Sequence, residues 1–218
     1  MSQPIAGMNL IVLAGGQSRR MGLPKYCISL AGVPLYEYPL SRLGGLYDHQ
    51  IVVENQGLIR RGAGQRRLMV HDRVENAGPL GGIYSGLFAS DAPMNMVVGA
   101  DMPFVCPQLA QAMSDRARAQ NLDILAPNID GFLEPLFAVY SSRVTEVAAD
   151  LLASGMRGVR SLFQSGALRV GFVDRAYCEQ YDKRLMSFFN VNTPDDLVRA
   201  EQMIQEQKKV RGEEHVCG

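Results

Sequence analysis

Along this chain, short, mainly apolar runs alternate with longer stretches whose apolar residues recur every three or four positions. The first kind has the length of buried strands and the second the period of amphipathic helices. Asn9 to Ala14, His49 to Glu54, Leu68 to His71, Met94 to Ala100, Leu122 to Ala126 and Leu168 to Val173 read as strands, and Glu134 to Tyr140 reads as extended. Helices are predicted over Pro34 to Gly45, Pro79 to Ser90, Pro107 to Ala119, Ser142 to Ser154, Arg157 to Gln164 and Pro194 to about Gln207. Leu109, Met113 and Ala117 stand four apart in one of these, and Val144, Val147, Ala148, Leu151 and Leu152 line one side of another. Thr193 as N-cap, Pro194 in the first turn and Asp196 three positions on make a capping signal.

Strands alternating with helices predict an α/β fold, a mostly parallel sheet with helices on both faces. No repeat, linker or shift in composition divides the chain, so residues 1–207 read as one domain, followed by a charged tail, 208–218, expected to fray. Asn55 to Arg67 is rich in glycine and arginine and reads as a short helix or loop, while Asp174 to Met186 is polar and resists assignment. Pro39 lies inside the first predicted helix, where it predicts a kink. Gly81, Gly82 and Gly86 fall inside the second, each costing about 1 kcal/mol against alanine. Either a ligand approaches that helix closely or the helix packs tightly on the sheet; the pattern leaves both open.

The 218 residues are 47% apolar and 20% charged, with zero formal net charge, an ordinary globular balance. Zero net charge argues against a general nucleic-acid or membrane-surface binder, though it permits a local basic pocket. Cys27, Cys106, Cys178 and Cys217 are scattered and form no Cys-x-x-Cys pair, so they read as reduced thiols. His49, His71 and His215 have no ligand spacing. The apolar run from Met8 to Ala14 is too short to span a membrane. The expectation is a soluble, cytoplasmic protein with neither nucleic acid nor membrane as partner.

Chemistry concentrates where the first strand ends. Gly15 and Gly16 break regular structure and let the backbone pass close to a ligand. Arg19, Arg20 and Lys25 set positive charge beside that gap. A strand emptying into a glycine-rich, cationic loop can cradle phosphates. It is neither a P-loop, which ends in Gly-Lys-Ser/Thr, nor the dinucleotide fingerprint with three spaced glycines. Further on, Asp101 follows an apolar run, and the carboxyl ends of strands are where open α/β sheets bind ligands.

The stretch Leu13 to Lys25 reads Leu-x-Gly-Gly-x-Ser-x-Arg-Met-Gly-x-x-Lys, which resembles the signature of the MobA-like nucleotidyltransferases, specifically the molybdenum cofactor guanylyltransferases. Three further places carry the likeness: Asp72 with Gly78-Pro79-Leu80-Gly81-Gly82, then Gly99-Ala100-Asp101-Met102-Pro103, then Phe189 to Leu197 with Asn190-Val191-Asn192. The resemblance spans residues about 9 to 205. It implies a Rossmann-like three-layer αβα fold that transfers GMP from GTP to molybdopterin-bound molybdenum and releases pyrophosphate. Under it Leu13, Ala14, Gly15, Gly16, Lys25, Asn55, Asp72, Gly78, Gly82 and Asp101 would form the GTP site. Asn190 and Asn192 would lie on the pterin side. Arg157 and Arg160 are candidates for the pterin phosphate or, equally, solvated helix-end charges. Molybdoenzyme maturation proteins would be further partners.

Such a transfer needs positioning and charge stabilisation more than covalent help. Arg19 and Lys25 can offset charge on departing pyrophosphate, through a planar fork and a point charge respectively. Asp101 can hold Mg²⁺, which takes one or two carboxylates plus phosphate oxygens and water. This chain departs from the family at Ala100, where a polar residue or cysteine is common, and its run from Glu134 to Tyr140 fits some members better than others. Two related readings compete: a CTP-using molybdopterin cytidylyltransferase, which tends to carry alanine in place of Gly15, and a sugar-1-phosphate nucleotidyltransferase. A third, of another class, is a GTP-binding delivery protein that does not turn over. Lys25 and Asp101 together argue against it.

Overall fold

The computed structural model describes residues 4–15, 17–18, 23–24, 28–54, 67–74 and 76–214, with 17–18, 23–24 and 207–214 described through their backbone alone. The chain opens with β1 (Met8–Leu13), buried throughout. Two short antiparallel ladders follow, β2 (Gln17–Ser18) with β3 (Leu23–Pro24) and β4 (Ser29–Leu30) with β5 (Val33–Pro34). Next come α1 (Glu37–Leu43), β6 (Gln50–Glu54), β7 (Arg67–His71), α2 (Gly78–Ala89), β8 (Met94–Gly99) and α3 (Pro107–Ala119). The second half holds β9 (Ile124–Ile129), β10 (Phe132–Leu133), β11 (Phe137–Ser141), α4 (Val144–Ala153), α5 (Arg160–Gln164), β12 (Val170–Val173), α6 (Arg175–Glu179) and α7 (Pro194–Glu214).

Among the described residues one eight-stranded sheet forms the middle layer, in the order β10-β9-β11-β8-β1-β6-β7, with β12 also on β9. β1 lies parallel to β6 and β8, β7 parallel to β6, and β12 parallel to β9. Only β11 and β10 run against their neighbours. The mostly parallel Rossmann-like sandwich expected from the alternation is therefore what forms. Side-chain period explains its layers. Met8, Leu10 and Val12 point into a core with Leu40 and Leu43 of α1, Met113 of α3 and Cys178 of α6. Ile11 and Leu13 point to the other face, into a core with Leu80 and Ile83 of α2, Ala148 of α4 and Leu162 of α5. A third cluster joins Leu30 and Leu35 to Phe104, Val191 and, on α7, Ala200 and Ile204. No helix among the described residues is long and apolar enough to cross a membrane.

Several boundaries differ from expectation for local reasons. The first helix begins at Glu37, because Val33–Pro34 pairs with Ser29–Leu30 across Ala31 and Gly32, both at positive φ. Pro39 then falls in the first helical turn, whose N–H groups have no partner within the helix, so the predicted kink has no cause. The unassigned polar stretch contains α6, capped by Asp174 accepting the Tyr177 N–H, and a 3₁₀ turn over Met186–Phe188. α7 runs past Gln207 to Glu214, and its Thr193–Asp196 cap forms as predicted: Asp196 N–H donates to Thr193 Oγ1 at 3.2 Å and Thr193 N–H to Asp196 Oδ2 at 3.0 Å.

Candidate active site

Parallel strands deliver their carboxyl ends to one edge. Leu13 is level with Val53 on β6 and Gly99 on β8, and Val53 is level with Val70 on β7. The ladder continues one step beyond the strands: Ala14 N–H donates to Val53 O at 2.8 Å and Ala100 N–H to Leu13 O at 3.1 Å. Buried Leu13 and Ala14, half-buried Gly15, and the Ala100–Asp101 turn thus emerge side by side. Gly16, Arg19, Lys25 and Asn55 lie outside the described residues, as does most of the Asn55 to Arg67 stretch.

Asp101 is 6% exposed. Met102 N–H donates back to Gly99 O at 3.2 Å and closes the turn, which folds the carboxylate over the end of β8. A Cβ on Gly99 would sit 2.5 Å from Asp101 Oδ1, so only glycine leaves the carboxylate that place. The Asp101 carbonyl accepts the Val191 N–H at 2.8 Å. This bond stitches half-buried Asn190 and exposed Asn192 to the turn that carries the carboxylate. Two residues that sequence reasoning passed over hold the segment from behind. Asp182 Oδ2 accepts both the N–H and the hydroxyl of Ser187 at 2.7 Å, and Ser187 Oγ accepts the Cys106 N–H at 2.8 Å. Asp182 lies in the polar stretch without periodicity, so nothing local announced it.

Asp72 follows β7 and turns toward α2. Ser85 Oγ lies 2.7 Å from Asp72 Oδ1 and accepts the Arg73 N–H at 2.9 Å. Burial pushes the Asp72 carboxyl above its ordinary range, opposed by the Ser85 hydroxyl and the Val74 backbone. A cavity of about 510 Å³ opens beside it, lined by His71, Arg73, Ser85 and Phe88 among others. Ser85 is another partner that sequence reasoning missed. Asp72 is three strand spacings from Asp101 along the edge, about 14 Å, too far to share one metal ion.

Of the α2 glycines, Gly86 is the one that the sheet crowds. A Cβ on Gly82 would meet Leu13 at 3.4 Å, and one on Gly86 would lie 2.5 Å from Ile11 Cγ2. The sheet makes the close approach at Gly86, while Gly82 meets it at ordinary contact distance. Gly78 has φ of 61° and backs onto the Arg157 carbonyl, 3.2 Å from where its Cβ would stand. Arg157 Nη1 donates to Leu152 O at 3.0 Å and Met156 O at 2.8 Å, just past the end of α4. Arg160 is exposed at the start of α5.

Among the described residues no three His, Cys, Asp or Glu side chains converge as a metal cage. Asp101 offers one hard oxygen donor group, which suits an ion that draws its other ligands from phosphate and water. Cys106 and Cys178 are free thiols, and burial pushes Cys178 up to about 12, leaving it unreactive. Cys27 and Cys217 lie outside the described residues.

A family model described as the MobA-like NTP transferase domain matches residues 10–170. A protein of Natranaerobius thermophilus named "Probable molybdenum cofactor guanylyltransferase" is 34% identical over 196 residues, 88% of this chain and 94% of that one. The crystal structure of molybdopterin-guanine dinucleotide biosynthesis protein A from Archaeoglobus fulgidus superposes with a TM-score of 0.77 at 27% identity, covering 91% of this chain and 99% of that chain. The fold alone is shared with 2-C-methyl-D-erythritol 4-phosphate cytidylyltransferase from Thermus thermophilus, at a TM-score of 0.66 and 17% identity over 89% of this chain and 98% of that chain. The sheet edge around Leu13 and Asp101 therefore belongs to a nucleotidyltransferase, and the chain is a member of the MobA-like NTP transferase family.

Proposed function

We propose that this protein transfers GMP from GTP to the molybdenum cofactor, releasing pyrophosphate and making the guanine dinucleotide form. One observation carries the reading: the bond from Val191 N–H to the Asp101 carbonyl, 2.8 Å long, joins the Asn190-Val191-Asn192 motif to the acidic motif. The two motifs that the family resemblance assigns to acceptor and nucleotide thereby meet at one residue. A phosphate oxygen of the acceptor attacks the α-phosphorus of GTP, and the bond from that phosphorus to the pyrophosphate oxygen breaks. Leu13, Ala14 and Gly15 border the nucleotide, with Gly16, Asn55 and Asp72 completing its site. Arg19 and Lys25 balance the charge gathering on the departing pyrophosphate.

Asp101 is the residue that would hold Mg²⁺, and the bound ion would neutralise phosphate charge during transfer. Asn190 and Asn192 orient the acceptor. Residues 1–207 act as one transferase domain in this reading. The free thiols Cys106 and Cys178 support a reducing, cytoplasmic setting in which the product passes to molybdoenzyme maturation proteins.

The test combines purified protein, molybdenum cofactor, Mg²⁺ and each of GTP, CTP, ATP and UTP, with pyrophosphate followed. Release with GTP alone is expected. A preference for CTP would move the chain to cytidylyl transfer, release with a sugar 1-phosphate as acceptor would move it to that class, and GTP binding without pyrophosphate would leave a non-catalytic carrier.

A further inference from the structure

The hairpin from β9 to β10 contributes no residue to the nucleotide site. Asp130 and Gly131 take φ of 53° and 87° between the paired residues Ile129 and Phe132. Positive φ at both central positions marks a type I′ turn, whose twist matches that of its strands. Arg175 clamps the turn, with Nε donating to Asp130 Oδ2 at 2.9 Å and Nη1 to Glu179 at 3.2 Å. Glu134 accepts the Leu136 N–H at 3.0 Å. The acidic groups flanking the turn are thus engaged locally. What the clamped turn presents is Phe132, 79% exposed. Holding a phenyl ring in water on an ordered turn leaves apolar area uncovered that burial would stabilise.

The topology says which molecule could cover it. β9 is antiparallel to β11 and β11 to β8, so β9 leaves the sheet at the same edge as Asp101. In the strand order, Leu13, Ala14, Gly15 and Asp72 follow β1 and β7 on one side of β8, while the hairpin stands on the other. Register partners share a sheet face. Phe132 therefore lies on the face of Ile129, which packs into the same core as Phe137 and Phe188. The Phe188 ring meets Phe137 edge-on at 5.8 Å, and Asn190 and Asn192 follow two and four residues later.

We infer that Phe132 is a stacking platform for the pterin ring of the acceptor, across Asp101 from the nucleotide. A phenyl face and a flat heteroaromatic ring attract by stacking without exchanging hydrogen bonds. The inference rests on the GMP-transfer reading, because that reading names the acceptor.

Steady-state pyrophosphate release by wild type, Phe132→Ala, Phe132→Leu and Phe132→Tyr tests it. Leucine keeps apolar area without a π face, so Phe132→Leu and Phe132→Ala should both raise the KM for molybdenum cofactor about tenfold. The KM for GTP and the melting temperature should stay at wild-type values, and Phe132→Tyr should behave as wild type. The chain has no tryptophan, so quenching of a free pterin's own fluorescence gives a second readout, expected with wild type and Phe132→Tyr only. A Phe132→Leu enzyme with unchanged acceptor KM, or a GTP KM that rises equally, overturns the platform while GMP transfer stands. A wild-type protein that releases no pyrophosphate from GTP and the cofactor overturns both.

Discussion

Asp72 and Asp101 hold similar places in the chain: each follows a strand of the parallel half within two residues and lies in the loop before a helix. Folding makes them different. Asp101 adjoins the central strands, is 6% exposed, lies over the end of β8 where Gly99 gives it room, and shares its turn with Val191. Asp72 follows β7, whose residues are all half-buried, and its carboxylate is drawn to Ser85 on α2. A carboxylate at a strand's end is only a nomination. The elements that pack around it decide how its oxygens are held.

The strongest way to break this contrast is to neutralise each group at constant shape. Asp101→Asn should lower GTP turnover by two to three orders of magnitude or more, ~10²–10³-fold, with unchanged circular dichroism and melting. Asp72→Asn should lower it less than about tenfold. Equal losses at the two positions would erase the distinction. Gly99→Ala comes next. Its Cβ would stand 2.5 Å from Asp101 Oδ1, so the carboxylate must move. A shift of that kind is expected to cost on the order of a hundredfold in kcat, with little change in GTP binding measured by titration. Wild-type kcat in Gly99→Ala would mean that the carboxylate's place over β8 is immaterial.

Much of the scaffold behind this contrast was legible. α3 forms over the predicted Pro107–Ala119, because a proline at its start and apolar residues four apart leave one solution. β1 and β8 were legible as mainly apolar runs because both their faces are covered. The cradle residues Arg19 and Lys25 remain readings of the sequence, since they lie outside the described residues. What escaped depended on pairing between distant segments. Pro127 discourages a strand, yet β9 runs through it to Ile129, since a proline carbonyl still accepts, here from Glu134 N–H at 2.9 Å. The Asp130-Gly131 turn beyond it is a strong hairpin signal only once that continuation is allowed. α6 has five residues, too few for a helical period to register. No local pattern pairs Asp72 with Ser85, thirteen positions on, because the bond exists only after α2 has docked.

That pairing gives the two smallest effects. Burial raises the Asp72 carboxyl above its ordinary value of 3.8. A raised carboxyl binds its proton more tightly in the folded chain than in the unfolded one. Its ionised form therefore subtracts stability at neutral pH, and the penalty disappears as pH falls below 3.8. Asp72→Asn, which cannot ionise, should melt higher than wild type at pH 7 and lose that advantage in acid. Ser85→Ala should act in the opposite direction, because the hydroxyl holds the shift down. Two acceptors compete for this hydroxyl: Ser85 Oγ is 2.7 Å from Asp72 Oδ1 and 2.8 Å from Gly81 O, and a hydroxyl has one hydrogen. A double-mutant cycle between Asp72→Asn and Ser85→Ala at pH 7 decides it. Coupling of about 0.5–1.5 kcal/mol is expected if the hydrogen goes to the carboxylate. Coupling near zero would assign it to the Gly81 carbonyl.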